Sequence, residues 1–132
     1  MIRPHFRDIV SGRKSIDGLK VGDVMTPGPV TLRPDSLLSD AVELMEARGI
    51  LHIPVLKDEN LVGLLSERHI RDALPSVLML SEEEDRRRSL TRIRVAKVMI
   101  TGVATVDPDA SVLSAIRLMR DHKAGSLLVV QQ

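Results

Sequence analysis

The sequence predicts an α/β protein of the α+β type, built from two copies of one unit. The chain aligns with itself at an offset of 74 residues, so that 21–56 match 95–130 without a gap and with eleven identities. Each copy alternates short apolar runs with one helical pattern. The 132 residues are also enough to bury a core without cysteine. We therefore predict two strand–helix–strand–strand–helix repeats.

The first copy begins with a short apolar turn at 21–25 and a brief strand at 30–32. A Pro-Asp pair follows, and Asp35 is predicted to cap the next helix, as Asp109 does in the second copy. Apolar residues at three- and four-residue spacing then predict an amphipathic helix that ends near Gly49.

Two further strands and a helix complete the first copy. The strand at 52–56 contains Pro54, which cannot donate to a sheet ladder, so this strand should lie at an edge or be irregular there. Polar residues at 57–60 predict a turn into a third strand at 61–65. Ser66 is then placed to cap a short helix.

A charged segment separates the copies and predicts a polar linker helix. Ser81 and Glu84 have capping-box spacing. Three acid–base pairs have i, i+4 spacing in the favourable order: Glu82 with Arg86, Glu83 with Arg87, and Glu84 with Arg88. The alternative, a phosphate site on these arginines, is less favoured because such blocks usually form solvated helix faces.

These patterns define four segments. Residues 1–20 form an N-terminal segment, 21–75 the first repeat, 76–93 the linker helix and 94–132 the second repeat. The second repeat stops before the positions that would match the third strand and the last helix. Exposed apolar faces on this copy predict either a homodimer or a cover supplied by residues 1–20.

Composition argues against several classes of function. Nineteen basic and eighteen acidic residues give a net charge of +1, so no strong field favours nucleic acid or an anionic membrane. The apolar runs are too short to span a membrane, and no signal peptide is apparent, so we expect a cytoplasmic protein. The four histidines are scattered along the sequence, and the chain has no cysteine and no catalytic motif. We therefore expect neither a metal site nor an enzyme.

The motifs Val-Met-Thr-Pro at 24–27, Ile-Pro-Val at 53–55 and Gly-Leu-Leu-Ser-Glu-Arg at 63–68 together resemble a cystathionine-beta-synthase (CBS) domain. Residues 99–119 resemble the start of a second one. The resemblance implies a CBS pair, or Bateman module, whose repeats pack through their sheets and which commonly dimerises. It also implies a regulatory module that binds adenine-containing ligands in clefts between repeats. The linker is similar to that of bacterial acetoin-utilisation accessory proteins.

The resemblance also implies a ligand motif, Gly-apolar-x-Ser/Thr-x-x-Asp, which Gly63 and Ser66 match. His69 stands at the position of the acid. A neutral imidazole has one acceptor, so it cannot accept from both ribose hydroxyls as a carboxylate does. It either contacts phosphate as a partial cation or is an ordinary polar residue.

Two clefts follow from the resemblance. The residues implied for the first are Gly63, Ser66, Arg68, His69, Ala104, Gly125 and Ser126. Those implied for a second, partial cleft are Val30, Leu51, His52 and Pro54. The expected function is sensing of AMP, ADP, ATP or S-adenosylmethionine. The alternative is a dimerisation module whose clefts bind nothing.

Overall fold

Helices and short strands alternate along the chain, which a computed structural model describes at residues 18–74 and 82–131. The elements are α1 (Val21–Val24), α2 (Leu38–Arg48), β1 (His52–Lys57), β2 (Asn60–Ser66), α3 (Glu67–Ala73), α4 (Glu83–Leu90), a 3₁₀ turn (Val95–Lys97), β3 (Thr105–Val106), α5 (Val112–His122) and β4 (Leu128–Val129). The predicted mixed architecture is confirmed.

The chain divides into two units that differ from the sequence repeats. The central unit contains residues 30–103 and the terminal unit contains residues up to 29 together with 104 onward, in both cases within the described ranges. Thus α1, from the first repeat, lies in the same unit as α5 from the second. The 3₁₀ turn, from the second repeat, lies with α2. The predicted packing of the repeats through their sheets stays a prediction.

Backbone hydrogen bonds hold the first turn of each repeat against the other repeat's helix start. In the terminal unit, the N–H groups of Val21, Gly22 and Val112 donate to the carbonyls of Ala110, Pro108 and Leu19 at 2.8, 2.8 and 3.0 Å. In the central unit, those of Val95, Ala96 and Leu38 donate to Ser36, Pro34 and Ile93 at 2.7, 2.9 and 2.9 Å. Every pair in one set lies 74 residues from its counterpart in the other, so the two repeats exchange their first turns.

The exchanged turns also supply side chains to the cores. Val95 is fully buried in the central unit, in one cluster with Ile53 and Leu65. Val21 is fully buried in the terminal unit, in a cluster with Leu127. Burying a valine side chain is worth about 1.5–3 kcal/mol, so each unit depends on a residue from the other repeat.

The predicted helix caps at Asp35 and Asp109 were wrong. The cap of α5 is Ser111, whose Oγ accepts from the backbone N–H of Ser114 at 3.1 Å. The N-cap of α2 is Leu37, which forms no side-chain cap bond. Both helices begin later than predicted because the carbonyls just before them bind the exchanged turns, which keeps these residues out of the helix.

A proline makes the first strand shorter than its counterpart. Leu32 donates to the carbonyl of Pro54 at 3.0 Å, and its own carbonyl accepts from Leu56 at 2.8 Å. The next bond of a parallel ladder would need an N–H on Pro54, so the predicted strand at 30–32 is reduced to one bridging residue. Leu128 occupies the equivalent position of the second repeat and has an N–H. There β3 and β4 pair in parallel over two residues.

The hairpin of β1 and β2 forms as predicted. The strands are antiparallel and joined through Asp58 and Glu59, both with left-handed φ. The register shifts between Val55 and Leu56, which introduces a bulge. This shift sets which residues face each other at the far end, where His52 pairs with Ser66.

The linker helix α4 is shorter than predicted and is anchored. Two of its predicted ion pairs are present, Glu83 with Arg87 at 3.1 Å and Glu84 with Arg88 at 3.6 Å. Leu90, its last residue, is buried in the central core, so the helix is not an independent polar linker. The predicted cap at Ser81 lies outside the described residues.

Gly63 lies where another stretch of backbone crosses β2. Leu64 and Ile100 exchange two backbone hydrogen bonds of 2.9 Å. A Cβ on Gly63 would lie 2.9 Å from the carbonyl oxygen of Ile100 and 2.7 Å from Sδ of Met99. The methionine can move, but the backbone oxygen cannot without losing these bonds, so packing alone requires glycine here.

The exchange predicts that Val95→Ala destabilises the central unit, although Val95 belongs to the second repeat in sequence. We expect a loss of about 2 kcal/mol from two missing methyl groups and the resulting cavity. Native-state hydrogen exchange should show reduced protection of amides in β1 and β2. Val21→Ala is the matched control and should affect β3 and β4 instead. If Val95→Ala reduced protection in β3 and β4 instead, and Val21→Ala in β1 and β2, the exchange of turns would be contradicted.

The close approach at β2 predicts that Gly63→Ala lowers the free energy of unfolding by about 1–3 kcal/mol, measured by urea denaturation. Gly125→Ala is the control, because a Cβ on Gly125 would meet nothing within 4 Å. It should change stability by no more than about 0.5 kcal/mol. Equal effects of the two substitutions would show that packing does not require Gly63.

Candidate functional site

Ser66 ends β2 and caps α3, as predicted. Its side chain is buried, and its Oγ accepts from the backbone N–H of His69 at 3.0 Å. This bond satisfies one of the otherwise unpaired amides at the helix start. Ser66 therefore has a structural role whether or not a ligand binds.

His69 carries an unsatisfied group at this turn. Its Nδ1 is buried and has no hydrogen-bond partner among the described residues, while the side chain as a whole is half-buried. A buried polar atom without a partner costs free energy, and such atoms in native proteins are uncommon. His69 is therefore the residue of the predicted motif whose side chain most needs a further contact.

His52 lies beside His69 in the same unit. The hairpin register places His52 opposite Ser66, whose side chain caps the turn that holds His69. Burial, and secondarily the positive charge of His69, lowers the pKa of His52 below its ordinary value of 6.5. At neutral pH His52 is therefore uncharged.

The proximity of His52 and His69 was not predicted from the sequence, which assigned His52 to a second cleft. Counting back from the turn residues Asp58 and Glu59 without a bulge pairs His52 with Leu65. The bulge shifts the pairing by one residue to Ser66. The alternation of apolar residues contains no signal for this shift.

Charged residues on α3 lie near the turn and are exposed. Arg68 lies 3.8 Å from Asp72, and Arg71 forms an ion pair with Glu67. Exposed pairs of this kind contribute little to stability. The guanidinium of Arg68 thus remains accessible to an anion.

The other predicted half of the first cleft lies in the terminal unit. Ala104 precedes β3, and Gly125 and Ser126 precede β4. Because β3 and β4 are parallel, all three lie at the same end of this strand pair. Ala104 and Ser126 are half-buried and Gly125 is exposed, with open space where its side chain would be. A cleft joining these residues to Ser66 and His69 stays a prediction.

The four residues predicted for the second cleft all lie in the central unit. Leu51 is 59% exposed, and its carbonyl accepts from the backbone N–H of Glu67 at 3.0 Å. Pro54 is buried and bonds to Leu32 through its carbonyl. Val30 is half-buried and precedes this bridge. The second cleft also stays a prediction.

Residues 18–74 and 82–131 contain neither a candidate membrane span nor a candidate metal site. No helix there is long and apolar enough to cross a membrane. No group of three His, Asp or Glu side chains in those ranges is arranged to hold a metal ion.

The lowered pKa of His52 predicts a stability that depends on pH. His52 takes up its proton at a higher pH in the unfolded chain than in the folded chain. Its contribution to the free energy of unfolding is therefore fully present above about pH 6.5 and is lost as the pH falls through the pKa of His52 in the folded chain. The free energy of unfolding, measured by urea denaturation between pH 5 and 7.5, should depend less steeply on pH for His52→Gln than for the unsubstituted chain.

The control for this measurement is His122→Gln, at an exposed histidine that ends α5. It should leave the pH dependence close to that of the unsubstituted chain. If His52→Gln leaves the pH dependence of the free energy of unfolding unchanged, His52 is protonated equally in the folded and the unfolded chain.

Comparisons with known proteins agree with this architecture. The CBS domain profile matches residues 21–76 and 95–132. A CBS domain-containing protein from Dictyostelium discoideum is 29% identical over 113 residues, which are 85% of this chain and 78% of that protein. The chain spans only 36% and 39% of two further curated relatives, which are longer.

Solved structures share the fold. A Vibrio cholerae protein assigned to acetoin utilisation, AcuB, superposes with a TM-score of 0.70 and 33% identity, covering 86% of this chain and 78% of that one. A structure of CBSX2 in complex with AMP superposes with a TM-score of 0.69 and 27% identity, covering 86% and 83%. With both repeats matched by the profile and the fold shared with these structures, the chain belongs to the CBS-domain family and has the fold of a CBS-domain pair.

Proposed function

We propose that this chain is a regulatory module that binds an adenine nucleotide, with AMP as the favoured ligand. The observation that carries the proposal is the similarity to CBSX2, whose structure contains AMP and which matches over most of both chains. The proposed site is the predicted first cleft. Its residues are Gly63, Ser66, Arg68, His69, Ala104, Gly125 and Ser126.

The chemistry of His69 supports a ligand at this turn. The side chain of His69 is half-buried, and a ribose hydroxyl can both donate and accept, so it suits either tautomer of the imidazole. A carboxylate at this position would accept from two hydroxyls and form stronger, charge-assisted bonds. Binding through histidine should therefore be weaker than through aspartate.

The rest of the proposed site suits a phosphate group and a flat base. The exposed guanidinium of Arg68 can form bidentate bonds to phosphate. Gly125 leaves open space and a reachable backbone. The chain has one phenylalanine and no tryptophan or tyrosine, so aliphatic side chains would hold the adenine ring.

A second candidate function is assembly without a ligand. It is favoured by the structural roles of Gly63 and Ser66, which packing and helix capping explain without any ligand. The similarity to the acetoin utilisation protein is compatible with either function. The cytoplasmic location expected from the sequence stays a prediction.

The nucleotide proposal predicts that AMP raises the melting temperature progressively with its concentration and more than adenosine does. Ligand at about 100 times its Kd stabilises a protein by about 2.7 kcal/mol, which corresponds to several degrees for a domain of this size. The panel includes AMP, ADP, ATP, S-adenosylmethionine, NAD and adenosine. His69→Asp should bind AMP about tenfold more tightly in isothermal titration, since a carboxylate can accept from both ribose hydroxyls in charge-assisted bonds.

His122→Asp is the matched control, because it introduces the same charge at an exposed histidine on α5. It should leave AMP affinity unchanged. If neither the unsubstituted chain nor His69→Asp binds any of the panel, the nucleotide proposal fails and assembly becomes the better explanation. Binding by His69→Asp alone would mean that the natural chain does not act as a sensor of these ligands.

A further inference from the structure

Two imidazoles lie at the turn between β2 and α3. The hairpin register places His52 opposite Ser66, and the Oγ of Ser66 accepts from the backbone N–H of His69 at 3.0 Å. Both histidine side chains are half-buried. An imidazole gains or loses a positive charge near neutral pH, whereas a carboxylate is negative there. The turn can therefore become positive at a position where an acid would make it negative.

The other charged side chains of α3 cancel one another. They form two i, i+4 ion pairs, which join Glu67 to Arg71 and Asp72 to Arg68. Each carboxylate is thus matched by a guanidinium on the same helix, and the four groups together add no net charge to the turn.

The segments that contact this turn contain no acid that would offset the imidazoles. β1 and β2 have no Asp or Glu, and neither do residues 49–51 and 99–101, which bond to the start of α3 and to β2. Asp58 and Glu59 lie at the opposite end of the hairpin. The remaining charges near the ends of these segments are exposed, namely Arg48, Lys57, Lys97 and the Arg33–Asp35 ion pair. His52 and His69 therefore decide the net charge that a ligand meets at the turn.

An acid and an imidazole at a ribose site favour different sugars. A carboxylate accepts from two free hydroxyls, and a phosphate on either hydroxyl would remove a donor and bring a like charge close. A cationic group reverses this preference. In dinucleotide-binding sites an acid contacts the free ribose hydroxyl, whereas an arginine accommodates a phosphate on it. An imidazole that becomes cationic should act as the arginine does.

We propose that this turn binds adenine nucleotides that carry a phosphate on the 2′- or 3′-hydroxyl of the ribose, with His69 and His52 as the groups that contact this phosphate. Because Nδ1 of His69 is buried, Nε2 is the ring nitrogen left to donate to it. The inference rests on the proposed nucleotide site and extends it from AMP to its ribose-phosphorylated derivatives.

Binding of such a ligand should be coupled to proton uptake. A phosphate dianion favours the cationic form of an imidazole beside it. His52 is uncharged at neutral pH in the free chain, because burial and then the charge of His69 lower its pKa, so it has a proton to gain. Affinity should therefore rise as the pH falls from about 8 to about 6.5.

Isothermal titration with four ligands tests the preference. Adenosine 2′,5′-bisphosphate or adenosine 3′,5′-bisphosphate should bind about tenfold more tightly than AMP, because the ribose phosphate adds a charge-assisted contact. ADP is the control ligand, since it carries its added phosphate away from the ribose. It should bind more weakly than the favoured bisphosphate.

Substitutions assign the preference to the turn. His69→Asp should reverse it, so that AMP binds more tightly than either bisphosphate. His69→Gln, which cannot become cationic, should bind AMP and the bisphosphates about equally. His122→Asp makes the same substitution at an exposed histidine on α5 and should keep the preference for a bisphosphate. Circular dichroism of each variant establishes that it is folded.

Proton uptake is measured by repeating the titration at one pH in buffers of different ionisation enthalpy. The favoured bisphosphate should bind with net uptake of protons, and His52→Gln should reduce this uptake whereas His122→Gln should not. Loss of a proton from the ligand's own phosphate would have the opposite sign. Tight binding without proton uptake would overturn the role given to the imidazoles.

The remaining outcomes separate this inference from the nucleotide proposal. If AMP binds but neither bisphosphate binds more tightly than ADP, the inference fails while the nucleotide proposal stands. If AMP and both bisphosphates all fail to bind, both proposals fail. If a bisphosphate binds and AMP does not, the inference is supported and the ligand class is restricted to phosphorylated ribose.

Discussion

The exchange of first turns is the constraint on which the rest of the structure depends. Two carbonyls before each helix accept N–H groups from the turn of the other repeat, and the first N–H of the helix donates back to the residue before that turn. The bonds are 2.7–3.0 Å long, and the side chains of Val21 and Val95 in the exchanged turns are fully buried. A single repeat would leave these carbonyls and amides unpaired and would lack one core valine. The pair is therefore the folding unit, in agreement with the family to which the chain belongs.

This exchange explains which parts of the fold could be predicted from the sequence. The order of the helices, the hairpin and the cap at Ser66 depend on residues near one another in the chain, and these were predicted correctly, whereas the strand expected at 30–32 is a single bridging residue. The caps at Asp35 and Asp109 failed because the exchanged turns determine where those helices begin. The identical valines of the two turns suit either helix, so local sequence contains no signal for the exchange.

Smaller differences between the repeats follow from single residues. Pro54 ends a parallel ladder that Leu128 allows to continue, because only Leu128 has an N–H at that position. The side chain of Leu37 cannot accept from an amide as that of Ser111 does, so α2 begins without a side-chain cap. Both consequences can be reasoned from residue chemistry once the partners are known. Neither partner can be identified from spacing along the chain.

The proposed site combines residues that folding requires with one that it does not explain. Gly63 avoids a backbone clash and Ser66 caps a helix, so their presence would not by itself indicate a ligand. His69 is different, because its buried Nδ1 lacks a partner among the described residues. Folding explains Gly63 and Ser66 but leaves the unsatisfied nitrogen of His69 unexplained, so binding of another molecule should be sought at this turn.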